Sequence, residues 1–108
     1  MLVLFDHGTP SGIARSLSRH KVKRAREEGW DALSNGDLLA QAEAAGFEVL
    51  LTTDKNIRHQ QNLLGRKIAI VVLGNSQWPV VQKYLREIAA AVDAAAPGSY
   101  TSVDIPLA

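Results

Sequence analysis

Three short apolar runs constrain this chain more than any other feature: LVLF at residues 2–5, VLLTT at 49–53 and IAIVVL at 68–73. A run without polar alternation suits a strand buried on both faces, and such strands belong to parallel sheets covered by helices on either side. The segments between them carry helical patterns. After the first run, Gly8 permits a sharp turn, Thr9 suits an N-cap and Pro10 the first helical position, with Ile13, Ala14 and Leu17 on one face. His20 to Ala25 reads as a weak charged strand with Val22 inward, and the following REEGWDALSNG, punctuated by Gly29 and Gly36, as a loop. Ser34 opens a helix with Leu38, Leu39, Ala42 and Ala45 on its apolar side, and Gly46 stops it. Asn56 to Leu64 predicts a helical turn or two closed by Gly65. Trp78, Val81, Tyr84, Leu85, Ile88, Val92 and Ala95 recur at the spacing of one further helix, with Trp78 in its packing stripe, ended by Pro97-Gly98.

Strands alternating with helices predict an α/β fold: a single three-layer α/β/α domain with a mostly parallel central sheet and right-handed crossovers. At 108 residues the chain has room for one core. The domain is expected over residues 1–98, and 99–108, where Thr101, Val103 and Ile105 alternate with polar neighbours, reads as an edge strand or a loose tail. With 46% hydrophobic and 21% charged residues the composition is that of a soluble globular protein. No apolar run approaches the ~20 residues of a membrane span, and the opening MLVLFDHGTP lacks the basic region of a secretory signal, so a cytoplasmic protein is expected. The absence of cysteine excludes disulfide scaffolds, thiolate metal sites and cysteine nucleophiles. Any metal would be held by oxygen or imidazole.

The net charge of +1 says little, but its distribution says more. Six basic residues (Arg15, Arg19, Lys21, Lys23, Arg24, Arg26) precede residue 27, against one acid, Asp6. Seven acids and no Lys or Arg follow from Glu27 to Asp54, and Lys55, Arg58, Arg66 and Lys67 then restore positive charge. Basic blocks folded beside an acidic cluster would suit a phosphodiester over bound metal; solvated faces of opposite sign are the plainer alternative.

Asp6 and Asp54 end two separate apolar runs, and ligands of parallel sheets bind outside the carboxyl ends of the strands. Converging carboxylates there suit a hard cation such as Mg²⁺, which takes oxygen ligands and keeps several waters. Each has a structural alternative: Asp6 in bonding turn amides, Asp54 in capping a following helix. Asp37 closes Ser34-Asn35-Gly36-Asp37, the S-x-x-D pattern of a capping box, which is compatible with a metal ligand at the same helix start. Glu27 and Glu28 lie in the loop ahead of that helix, and His7 follows Asp6 in an exposed turn. Asn56, His59 and Gln60 would share one helical face beside the acids. His20 has no evident partner. Trp30 either stacks on a base or, more simply, anchors its loop.

In order, L-F-D-x-x-x-P around Asp6 and Pro10, H-K-V, E-x-G-W at Glu27 to Trp30, N-G-D-L-L at 35–39, V-L-L-T-T-D-K-N around Asp54, Q-Q-N-L-x-G-R at 60–66 and I-A-I-V-V-L make residues 1–74 resemble a family of small bacterial PIN-like domain proteins. These are relatives of the PIN nucleases that include VapC-type toxins. The resemblance implies a compact α/β/α sandwich and Mg²⁺- or Mn²⁺-dependent hydrolysis of RNA. It matches Asp6, Asp37 and Asp54 to the acids that hold metal and catalyse, and Glu27 to a recurrent acid of unassigned role. Where family members often read D-E after the first strand, this chain has His7, which weakens or alters the metal site.

The first functional expectation is therefore a metal-dependent ribonuclease, in the manner of the toxin of a toxin–antitoxin pair. Asp6, Asp37 and Asp54 would hold the metal, and Arg15, Lys55, Asn56, Arg58, His59 and Gln60 would face substrate. RNA is the expected partner, with an antitoxin protein or a second copy of the chain compatible with it. The alternative is a catalytically weak or inactive module that binds protein or nucleic acid, which His7 and the sparse acids favour. A phosphoacceptor receiver domain fits less well, since it resembles a repeat with an early acidic pair and a lysine after the last strand. A haloacid-dehalogenase-like reading fits least, because D-H-G-T has Gly8 where that motif needs a second Asp.

Overall fold

The computed structural model of the protein describes residues 1–57 and 65–106. Among these residues five strands form one sheet in the order β2-β1-β3-β4-β5: β1 (Leu2–Phe5), β2 (Lys21–Arg24), β3 (Val49–Thr52), β4 (Ala69–Leu73) and β5 (Tyr100–Val103). Every neighbouring pair is parallel, and the register sets Val3 beside Val49 and Val49 beside Ala69. The three apolar runs become the three inner strands, because only there are both faces covered. All of β3 and β4 is buried. Charged Lys21–Arg24 takes one edge, where only Val22 need turn inward. The segment after residue 98 supplies the other edge, β5, and buried Val103 and Ile105 alternate there with exposed Ser102 and Asp104.

Alternate residues of the inner strands feed two cores. Val3, Phe5, Val49, Leu51, Val71 and Leu73 face a 3₁₀ helix (Ser11–Ser16) through Ile13 and an irregular helical run through Val81, Ile88 and Val92. That run is α2 (Trp78–Val81), a 3₁₀ turn (Gln82–Tyr84) and α3 (Leu85–Asp93), where a single helix is expected from the spacing. Leu4, Leu50, Ile70 and Val72 face α1 (Asn35–Ala44) through Leu38, Leu39 and Ala42. Ala45, expected on that apolar side, is instead the exposed residue that ends α1.

The crossovers do not all have the expected right hand. From β1 to β2 the chain steps one way along the sheet, covering the first face; from β4 to β5 it steps the other way over the same face. Two crossovers on one face running in opposite directions have opposite hands, so at least one is left-handed, against the usual rule. The β1–β2 and β2–β3 crossovers agree with each other, since both direction and face change between them. The odd one is β4–α3–β5. A physical reason lies in coverage: the six-residue 3₁₀ helix is too short to shield the first face, and the apolar stripe of α3 completes it.

Thr9 does not cap the first helix. Its hydroxyl donates to the Leu51 carbonyl at 3.0 Å, tying the loop after β1 to β3, and Pro10 takes the cap position. His20 has partners that the sequence did not suggest: its Nε2 lies 2.6 Å from Asp93 Oδ1 at the end of α3, and its Nδ1 lies 3.1 Å from the Met1 amino group. Trp30 packs edge-on against Phe47 at 5.9 Å between ring centroids, as a loop anchor does.

Candidate functional site

In a doubly wound sheet a crevice opens where the loops after neighbouring strands leave toward opposite faces. One such point lies between β1 and β3, the two strands that lead into Asp6 and Asp54, and the opposite-handed β4–β5 crossover makes a second between β3 and β4. The chain after β1 leads to the first face and Ile57, after Asp54, packs into the second.

Local hydrogen bonds hold the two acids. The Asp6 N–H donates to the Leu51 carbonyl at 3.0 Å, and the Thr9 N–H closes a turn on the Asp6 carbonyl at 3.1 Å, with Gly8 at φ 89° where a side chain would be strained. Asp6 Oδ1 accepts from the His7 N–H at 2.7 Å, and its Oδ2 accepts from the Thr52 hydroxyl at 2.7 Å. Thr52 Oγ1 in turn accepts from the Asp54 N–H at 3.1 Å. Asp54 Oδ2 accepts from Asn35 Nδ2 at 2.7 Å and its Oδ1 from the Asn56 N–H at 3.0 Å. Thr52, fully buried, thus connects the two acids, and Asn35 fastens the start of α1 to the same place.

Asp37 lies two residues beyond Asn35 and is exposed. Its N–H donates to Ser34 Oγ at 3.4 Å, which is Ser34's half of the expected capping box, made by the Asp37 backbone and not by its carboxylate. A pocket of about 170 Å³ beside Asp6 is lined by His7, Gly8, Thr9, Arg24 and Arg26, which sets two guanidinium-bearing residues next to the acid. Glu27 serves Arg24: its Oε1 accepts from the Arg24 N–H at 3.1 Å and from Nε at 3.2 Å, and these bonds lower its pKa. Lys55 lines a separate hollow with Val72, Gly74 and Ser102, toward β5, and Arg15 lines another with Pro10, Gly12 and Trp78. Arg58, His59 and Gln60 lie outside the described residues.

Among the described residues no three His, Asp or Glu side chains stand together as a ready metal cage. The donor chemistry still suits a hard cation. Mg²⁺ is commonly bound by one or two carboxylates with waters and substrate phosphate completing its shell, and each Asp6 and Asp54 oxygen retains a lone pair beyond its hydrogen bond.

Thr52 and Asn35 are the residues of this site that sequence reasoning did not single out, while Arg24 and Arg26 were named only within the basic block before residue 27. A hydroxyl at the end of an otherwise apolar strand is a usable signal for Thr52; nothing local marks Asn35.

No family model, curated protein or solved structure matches the chain. The order of its strands is shared with receiver-type doubly wound sheets. The residue that follows β5, however, is Asp104, an acid at the place where a receiver would carry its lysine.

Proposed function

We propose that this protein is a divalent-metal-dependent ribonuclease of the PIN-like type. One observation carries the proposal: Asp6 and Asp54, from neighbouring strands, are joined through Thr52 where the loops after β1 and β3 part toward opposite faces, with Arg24 and Arg26 beside Asp6. Asp6 and Asp54 would hold Mg²⁺ or Mn²⁺, with Asp37 supplying an outer carboxylate from the start of α1. The bound metal would supply Lewis-acid activation of a phosphate and of water. The chain's own part is to orient. Thr52 and the His7 amide hold the Asp6 carboxylate, Asn35 and the Asn56 amide hold that of Asp54, and Arg24 and Arg26 attract the phosphodiester. RNA is the proposed substrate, the cytoplasm the proposed compartment, and a toxin controlled by an antitoxin protein the proposed role.

His7 in place of an acid, with no third carboxylate grouped on the pair among the described residues, favours a second reading: a module that binds nucleic acid or protein without turnover. Incubating single-stranded RNA with the protein in Mn²⁺ or Mg²⁺, against Asp6→Asn and Asp54→Asn, separates the two. The ribonuclease reading expects cleavage that chelation abolishes and that each substitution lowers by about a hundredfold or more. Full activity in the substituted proteins would refute the site. Metal-independent binding without cleavage would establish the second reading.

A further inference from the structure

Trp78 was expected in the packing stripe of a helix, yet it is one of two large hydrophobic residues exposed among those described, at 38%. Its benzo ring lies against Gly12: a Cβ built on Gly12 would meet Cη2 at 2.5 Å and Cζ2 at 2.7 Å. The glycine therefore makes room for the indole at this place. The opposite-handed β4–β5 crossover brings them together, because it sends the chain after β4 over the same face as the chain after β1. Trp78, Arg15, Gly12, Pro10 and Ser11 line one pocket of about 520 Å³, within the size range of small-ligand sites. That pocket begins four residues past Asp6, and the Asp6–Thr9 turn keeps the connecting loop folded back at the same edge of the sheet.

We infer that Trp78 and Arg15 seat one nucleotide of single-stranded RNA, the base stacked on the indole and its phosphate paired with the guanidinium, adjoining the Asp6–Asp54 crevice. The substrate class rests on the ribonuclease reading; the seat itself rests on the pocket. An aromatic ring held beside a cation is the usual means of binding single strands without base selection. Arg15 supplies a bidentate donor to phosphate.

The test is fluorescence anisotropy of a short labelled RNA with the full chain in chelator, where no metal-dependent cleavage proceeds. Trp78→Ala is expected to weaken binding roughly five- to hundredfold, the range for losing one stacked base, and Trp78→Phe to retain most of it. Gly12→Ala, which displaces the indole, should weaken binding as Trp78→Ala does. Arg15→Gln should lower the salt dependence by about one phosphate contact, a slope change near 0.7. Circular dichroism confirms that each variant is folded. Undiminished binding by folded Trp78→Ala overturns the inference even if the protein cleaves RNA. So does failure of the wild type to bind. Trp78-dependent binding with no cleavage in Mn²⁺ upholds the seat and removes the ribonuclease.

Discussion

Thr52 donates a 2.7 Å hydrogen bond to Asp6 while accepting one of 3.1 Å from the Asp54 N–H, so one buried hydroxyl sets the relation between the two acids. Thr52→Val keeps the shape and removes both bonds. The loss expected is about 1–3 kcal/mol, read from urea denaturation, because a partly buried carboxylate oxygen and an amide lose a partner together. Thr52→Ser should recover most of it. If Thr52→Val is as stable as wild type, the link does not hold the site.

The opposite-handed crossover places α3 on the same face as the first helix, and double-mutant cycles can read this in solution. Ile13→Ala and Ile88→Ala, from one core, should be non-additive by more than 0.5 kcal/mol. Leu39→Ala belongs to the other core and should add to Ile88→Ala within about 0.5 kcal/mol. Each single change should cost roughly 2–5 kcal/mol as a cavity.

His20 ties the loop before β2 to the last turn of α3 through Asp93, with its side chain 7% exposed. His20→Ala should lower stability by about 1 kcal/mol, and Asp93→Ala by a similar or smaller amount, since Asp93 is nearly half exposed. Equal stability of both variants with wild type, by thermal denaturation, would show the contact to be idle.

Glu27 should titrate below the ordinary value of a glutamate, because the Arg24 amide and guanidinium stabilise its charged form. The sign follows from linkage: a depressed folded pKa contributes stability that is present above the unfolded value and lost as pH falls through the folded one. Side-chain carboxyl NMR should show the low midpoint, and Arg24→Gln should raise it toward normal. An unshifted Glu27 in the wild type would show that the pair does not persist in water.

Much of the architecture was legible locally. Unbroken apolar runs can be satisfied only between two covered faces, which is why LVLF, VLLTT and IAIVVL became β1, β3 and β4. Ser34 and Gly46 bounded α1 as their backbone chemistry requires, and the alternation through Val103 and Ile105 marked an edge. The failures share a cause. Thr9 looked like a cap because no local pattern announces that its hydroxyl will meet Leu51. His20 looked unpartnered because Asp93 is distant in sequence. Trp78 fits an apolar stripe by spacing alone, but the stripe is interrupted by a 3₁₀ turn and Gly12 takes up the ring.

The sequence by itself determined the layers: hydrophobic period and strand length decide which segments are buried on two faces, and Asp6 and Asp54 necessarily stand where two such segments end. Only the tertiary structure decided which ends are neighbours, that Thr52 joins the acids, that Arg24 and Arg26 flank Asp6, and that Trp78 lies over Gly12. Those relations depend on strand order and on the face each crossover takes, which are settled by long-range burial and not by any local pattern.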